Sequence, residues 1–226
     1  GSSNTAVGHR TMDASSCTGS GNTTVGREGF SAITSATNNT GLGYFNGHDI
    51  TTGSNNVAIG HNALSTIQTV SELTAVGAYC LDALTNSGLY NTAVGYKAGT
   101  NCTDGTRNTL LGWEAGENIT TANRCIVIGQ NASADGSAGT GDDNIFIGRE
   151  AGYSFANCHS NTSVGNYSMQ NITSATYNVA VGMEALQTIS SGDQNTAVGF
   201  QALEDLTTGG KNTAVGYIAL RDVNTG

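Results

Sequence analysis

Asn91-Thr92-Ala93-Val94-Gly95 is one of thirteen versions of a single five-residue phrase, and the glycine that closes it recurs every 17 residues with slips of one or two. These glycines are Gly8, Gly26, Gly43, Gly60, Gly77, Gly95, Gly112, Gly129, Gly148, Gly165, Gly182, Gly199 and Gly216. A short repeat carried along a chain is the signature of a solenoid, in which each repeat buries its apolar side only by stacking on its neighbours. The period predicts an all-β chain, a parallel β-solenoid (β-roll) of about thirteen 17-residue coils that forms a single repetitive domain over residues 1–226.

The residue just before the glycine is aliphatic in every copy: Val7, Val25, Leu42, Ile59, Val76, Val94, Leu111, Ile128, Ile147, Val164, Val181, Val198 and Val215. Two residues earlier stands a β-branched column: Thr5, Thr23, Thr40, Val57, Thr74, Thr92, Thr109, Ile126, Ile145, Thr162, Val179, Thr196 and Thr213. Alternate residues of a strand share a face, and β-branched side chains favour extended backbone, so each copy predicts a short strand with its Thr and Val columns buried in the coil. On this reading an acid at Val94 collapses the coils around it. The residue between the two columns is mostly small (Ala6, Ala58, Ala75, Ala93, Ala180, Ala197, Ala214), with Leu110, Val127 and Phe146 in the middle copies. A strand apolar on both faces is buried on both, and a thin solenoid has one interior only. The Ala column is therefore expected to meet another copy of the chain, most simply in a homotrimer around a threefold axis.

Glycine in all thirteen copies fits a backbone corner or a close approach that no Cβ allows. Beyond it come a small column (Ala63, Ala98, Ala115, Ala132, Ala151, Ala185, Ala202, Ala219) and an apolar one (Leu64, Leu81, Leu186, Leu203, Leu220). These predict a second short strand or a bend, although an Ala-Leu pair also suits one helical turn. The rest of each copy, such as Thr51-Thr52-Gly53-Ser54-Asn55, reads as a polar loop of turn-forming residues. Asn opens the phrase at Asn4, Asn22, Asn39, Asn56, Asn91, Asn108, Asn144, Asn161, Asn178, Asn195 and Asn212, with Leu73 and Cys125 the exceptions. Stacked in register ~4.8 Å apart, such amides can bond coil to coil as a structural ladder.

Composition narrows the function. Only 11% of residues are charged, which would allow disorder if the apolar residues were scattered, but they return in fixed columns. A net charge of -9 without a basic stripe argues against nucleic acid as a partner. No stretch approaches the ~20 apolar residues of a membrane helix, so membrane insertion is not expected; no signal peptide is visible. The chain opens with Gly1-Ser2-Ser3-Asn4 in the phase of Gly53-Ser54-Asn55-Asn56, and closes with Thr225-Gly226 in the phase of Thr52-Gly53. It is thus expected to be a segment of a longer fibre protein.

The phrase, with variants such as Asn56-Val57-Ala58-Ile59-Gly60 and Asn178-Val179-Ala180-Val181-Gly182, resembles the repeat of trimeric autotransporter adhesin heads. With the Ala-Leu pair that follows, it is also similar to repeats of bacteriophage tail fibres. The resemblance covers essentially the whole chain, although the period here is longer than in the adhesin heads. It implies a left-handed parallel β-roll whose three copies pack around a common axis, as a rod outside the cell, on a cell surface or on a virion. Such a rod holds or forms an adhesive surface for a glycan or protein receptor, so the expected function is that of a structural and adhesive fibre segment. Two other readings stay open. One is a filament subunit stacking end to end through its terminal coils; the other is an ice- or surface-binding solenoid using the Thr column, against which a buried Thr column would count.

No catalytic group is expected, because the second residue after the glycine (Arg10, Glu28, Tyr79, Glu114, Glu150 and Glu184 among others) reads as a solvated column. Glu114 and Glu150, two coils or roughly 10 Å apart, suit no close carboxylate dyad. His9, His48, His61 and His159 stand at scattered phases, and Cys17, Cys80, Cys102, Cys125 and Cys158 lack metal-ligand spacing, so neither a metal nor a cofactor is expected. Five cysteines allow two disulfides and a leftover thiol, or none; Cys80 and Cys125 read as small buried fillers. Asp142-Asp143 in the long loop 134–143 offer a cation two carboxylates, though a solvated turn is the plainer expectation. Aromatics follow the glycine at Tyr44, Tyr96, Trp113, Phe200 and Tyr217; such rings can stack on sugars, or pack on one another. Asn-x-Ser/Thr sequons, candidates for glycosylation, begin at Asn22, Asn38, Asn101, Asn118, Asn131, Asn161, Asn166 and Asn171.

Overall fold

The computed structural model describes residues 1–85, 87–135 and 138–224, so the closing Thr225-Gly226 lies outside the described residues. They fall into two compact units, Gly1–Arg107 and Asn108–Gly226. The first carries β1 (Thr5–Val7), β2 (Thr23–Val25), β3 (Thr40–Leu42), β4 (Val57–Ile59), β5 (Thr74–Val76) and β6 (Thr92–Val94). The second carries β7 (Thr109–Leu111), β8 (Ile126–Ile128), β9 (Ile145–Ile147), β10 (Thr162–Val164), β11 (Val179–Val181), β12 (Thr196–Val198) and β13 (Thr213–Val215). Each is a parallel β-solenoid with one three-residue strand per coil and, among the described residues, no helix.

Register follows the repeat. In the first unit Thr40, Gly41 and Leu42 lie opposite Val57, Ala58 and Ile59; in the second, Thr162, Ser163 and Val164 lie opposite Val179, Ala180 and Val181. A one-residue slip would turn every side chain to the other face, so coils of unequal length keep this register and place their extra residues in loops. The corner glycine is needed at Gly112, where φ is +138 and an added Cβ would lie 2.6 Å from the carbonyl oxygen of Gly129.

The strands face the opposite way from the sequence expectation. Ala58, Ala75, Ala93, Leu110, Val127, Phe146, Ala180 and Ala197 are buried inside their coils. The Thr and Val columns alternate with them on the outside, exposed or half-buried in both units. Volume is the reason. The interior also receives side chains from the third, fourth and seventh residues past the glycine, such as Ala63, Leu64 and Ile67, or Ala185, Leu186 and Ile189, all buried. Large residues already fill the centre, so in most coils only a small side chain fits opposite them.

The seventh-residue column (Ile33, Ile50, Ile67, Leu84, Ile119, Phe155, Ile172, Ile189, Leu206) is buried, although it lies in the stretch that reads as polar loop. The Ala-Leu pair forms no second strand. That segment is a turn, and Leu64, Leu81, Leu186 and Leu203 adopt left-handed backbone at φ 50 to 53. In two coils a large residue in the Ala column goes with glycine in place of the leucine: Leu110 with Gly116 and Phe146 with Gly152, at φ +62 and +60, whereas Val127 goes with Ser133 and Ala93 with Gly99. Phe146 meets Phe155 edge to face, with centroids 5.4 Å apart.

Candidate functional site

The outward Thr and Val columns contain no charged residue, and in each unit they stack in register at the ~4.8 Å spacing of a parallel sheet. Leu111 is 45% exposed, Ile126 37% and Val181 39%. These columns form a continuous uncharged, largely β-branched stripe on the outside of each unit rather than part of its core. Two columns flank it. On one side stands the fifth residue before each glycine, including Glu72, Tyr90, Arg124, Asp143 and Tyr177; on the other stands the first residue after it, including Ala78, Tyr96, Arg149 and Met183.

Two side-chain ladders hold the coils behind this stripe. In the first, each asparagine accepts from the next coil and donates onward. The Asn22 Oδ1 accepts from the Asn39 backbone N–H at 3.0 Å and from its Nδ2 at 3.0 Å, and the Asn39 Nδ2 also donates to the Gly53 carbonyl at 2.9 Å. The run from Asn144 through Asn161, Asn178 and Asn195 to Asn212 repeats this, with backbone N–H donors 2.8 to 3.0 Å from the preceding amide oxygen. The exceptions keep the backbone bond: the Leu73 N–H donates to Asn56 Oδ1 at 3.0 Å and the Cys125 N–H to Asn108 Oδ1 at 2.9 Å, and the Cys125 Sγ also donates to the Gly141 carbonyl at 3.5 Å.

The second ladder, two residues earlier and absent from the sequence expectations, runs the other way. Here a polar side chain accepts the backbone N–H of the coil before it: Thr37 donates to Ser54 Oγ at 2.9 Å, Asn123 to Asp142 Oδ1 at 2.8 Å, Asp142 to His159 Nδ1 at 2.9 Å and Thr176 to Asp193 Oδ1 at 2.7 Å. The signal was a column of Ser, Thr, Asn and Asp at one phase of the loop, chemically plain but concealed by the general richness in those residues.

At Asp142-Asp143 the cation is a protein side chain. Arg124 lies 3.2 Å from Asp142 and 2.6 Å from Asp143, and this hydrogen-bonded guanidinium holds the Asp143 carboxyl below its ordinary range. The second residue after the glycine forms a half-buried column rather than a solvated one. Glu28 is buried beside Arg27 at 3.1 Å, Glu150 accepts from Gln170 at 2.8 Å, and Glu184 accepts from Gln201 at 2.8 Å. Among the described residues no three of His, Cys, Asp and Glu gather as a metal would need.

Some of the aromatic rings meet neighbouring rings: Tyr44 stacks on His61 at 5.3 Å and Phe200 on Tyr217 at 5.3 Å, while Tyr96 meets Tyr79 edge on at 6.2 Å. Tyr44, Tyr96, Trp113 and Tyr217 are exposed. Of the sequon asparagines, Asn22 and Asn161 are fully buried in the first ladder, so a sugar there would require the ladder to open. Asn38, Asn101, Asn166 and Asn171 are exposed, and Asn118 and Asn131 half-buried.

Cys80, Cys102, Cys125 and Cys158 are buried and Cys17 half-buried. Burial pushes Cys80 up to about 12, Cys125 up to about 11, and Cys158 higher still. At pH 8 a thiol reagent should therefore modify Cys17 quickly and the buried thiols only on unfolding, as counted with and without denaturant. Folding raises these thiols, so the unfolded chain releases their protons first. The stability they contribute is complete below their unfolded value of about 8.5 and is lost as pH rises through about 11 to 12.

The sequence matches no protein-family model and no curated protein, and the structure matches no solved structure.

Proposed function

We propose that this chain is a structural, non-catalytic solenoid segment of an extracellular or virion fibre, that it assembles with copies of itself as a homotrimer, and that adhesion is the use such a fibre serves. One observation carries the reading: an uncharged stripe of Thr, Val, Ile and Leu faces outward in both units. Burial of exposed aliphatic surface is the main drive of association, and a rigid sheet face held by two ladders presents it with little ordering cost. The repeat carries stacking rather than convergence, which suits a scaffold and not a catalyst. Electron microscopy with a solution mass tests it. Rods of threefold mass are expected; open-ended filaments would favour end-to-end stacking, and a monomer at micromolar concentration would overturn self-association.

A second reading gains from the same face. The Thr column points outward, which removes the objection of burial to an ice- or surface-binding solenoid, and five of the six strands of the first unit begin with Thr, although Val57, Ile126, Ile145 and Val179 interrupt the column. Thermal hysteresis in dilute solution, lost on replacing Thr23 and Thr40 with Tyr, is its test.

A further inference from the structure

We infer that the second ladder carries an acid-sensitive joint at His159: the neutral ring ties the ninth coil of the chain to the tenth, and a proton taken from solvent releases that tie.

The two ring nitrogens fix the argument. Asp142 donates its backbone N–H to His159 Nδ1 at 2.9 Å, and Nε2 lies 3.2 Å from Asn157 Oδ1. The first contact needs a lone pair on Nδ1, so the proton of the neutral ring sits on Nε2 and is donated to Asn157. An imidazolium donates from both nitrogens and accepts at neither. Whichever way the charged ring turns, it offers the Asp142 N–H no acceptor. The other described rungs differ in this respect. Ser20, Ser54 and Ser71 accept through hydroxyls, and Asp142 and Asp193 through carboxyl oxygens, which still accept when protonated.

The groups around the ring draw a proton toward it. On the coil before stand Asp142 and Asp143, which share the single guanidinium of Arg124 and so keep one negative charge between them. Asp143, held low chiefly by Arg124, is held low in lesser part by His159. In its own coil the ring follows Cys158, a buried thiol that burial pushes up. The coil after brings Tyr177, whose N–H donates to the His159 carbonyl at 3.1 Å, and Thr176, tied onward to Asp193 at 2.7 Å. The neutral ring holds the rung, and the charged ring has carboxylates to turn to. His159 is half-buried, so solvent reaches it. What opens is local. The Ser160 N–H still donates to the Asp142 carbonyl at 3.1 Å, Asn161 still bonds Asn144 at 3.0 Å, and β9 still pairs with β10, none of which involves the ring. The loosened turn carries Asp143, at the edge of the outward stripe.

Site-resolved amide hydrogen exchange tests the joint, expressed as protection so that the intrinsic pH dependence of exchange cancels. Between pH 7.5 and pH 5, the interval in which histidine changes charge, Asp142 protection should fall about fivefold, the worth of one neutral hydrogen bond. Thr176, whose acceptor is Asp193, should change less than about twofold. His159→Asn supplies an amide oxygen at either pH and should abolish the fall, whereas His159→Leu should hold Asp142 at the low, acid-like protection throughout. His159→Ser, patterned on Ser54 and Ser71, replaces the asparagine variant if that one fails to fold by circular dichroism. The charge on the ring is followed in parallel by its NMR resonances. Unchanged Asp142 protection beside a ring seen to be charged would overturn the joint, as would a ring still neutral at pH 5. An equal fall at Asp142 and Thr176 would mean that the whole unit loosens in acid, and would overturn it too.

Discussion

Ala180→Asp should unfold the second unit near its middle, whereas Val181→Asp, one residue on, should leave it folded. Ala180 is fully buried, in register between Ser163 and Ala197, with Leu186 and Ile189 filling the same coil. An aspartate there has no cation to meet among those neighbours, and an uncompensated buried charge costs about 3–5 kcal/mol. Against a domain stability of about 5–15 kcal/mol, that lowers Tm on the order of 15 °C. Val181 is 39% exposed, and its replacement removes outward methyls and some strand preference, worth about 1 kcal/mol or less. Thermal unfolding by circular dichroism, read beside the solution mass of each variant, separates the two, since lost association lowers Tm by its own route. The reverse order of effects would show that the strand faces the other way. Val94, half-buried on the outward side of β6, falls with Val181, so an acid there is not expected to collapse its coils.

Strand positions were legible in the sequence to the residue, because the glycine and asparagine columns bracket them and neither tolerates another phase. Which side of the strand faces inward was not. Thr-Ala-Val is uncharged on both faces, and alternation says that the faces differ without saying which one is buried. Size decides it, through residues far along the coil. Ile67 and Ile189 sit in stretches rich in Ser, Thr and Gly, so one apolar residue per turn of loop gave too weak a period to read as core. A signal was nevertheless present in two coils, where a large residue in one column goes with glycine in the other: Leu110 with Gly116, and Phe146 with Gly152. Such exchange is expected only of side chains that share one volume. The outward stripe became visible only when that volume was assigned.

The same exchange supplies the second large effect. Phe146→Ala should destabilise the second unit by about 3–5 kcal/mol, the range for emptying a buried aromatic site. Gly152→Leu should also destabilise it, because the new side chain starts where the Phe146 ring already lies: Cγ of that ring would be only 2.7 Å from a Cβ at this position. Made together, the two changes should cost less than the sum of their single effects by at least about 2 kcal/mol. The left-handed backbone at this position adds strain to a leucine, but one that this fold accommodates elsewhere. Gly152 sits at φ +60, and Leu186 and Leu203 occupy the equivalent place at φ 50 and 51, each opposite an alanine, Ala180 and Ala197. The double variant therefore rewrites the ninth coil in the pattern of the eleventh and twelfth. Recovery should remain incomplete because Phe155 keeps its size but loses its edge-to-face partner. Denaturant unfolding of the parent, both single variants and the double closes the cycle. Strict additivity would mean that the two columns do not fill a common space, and with it would fall the explanation of why the Thr and Val columns are turned to the outside.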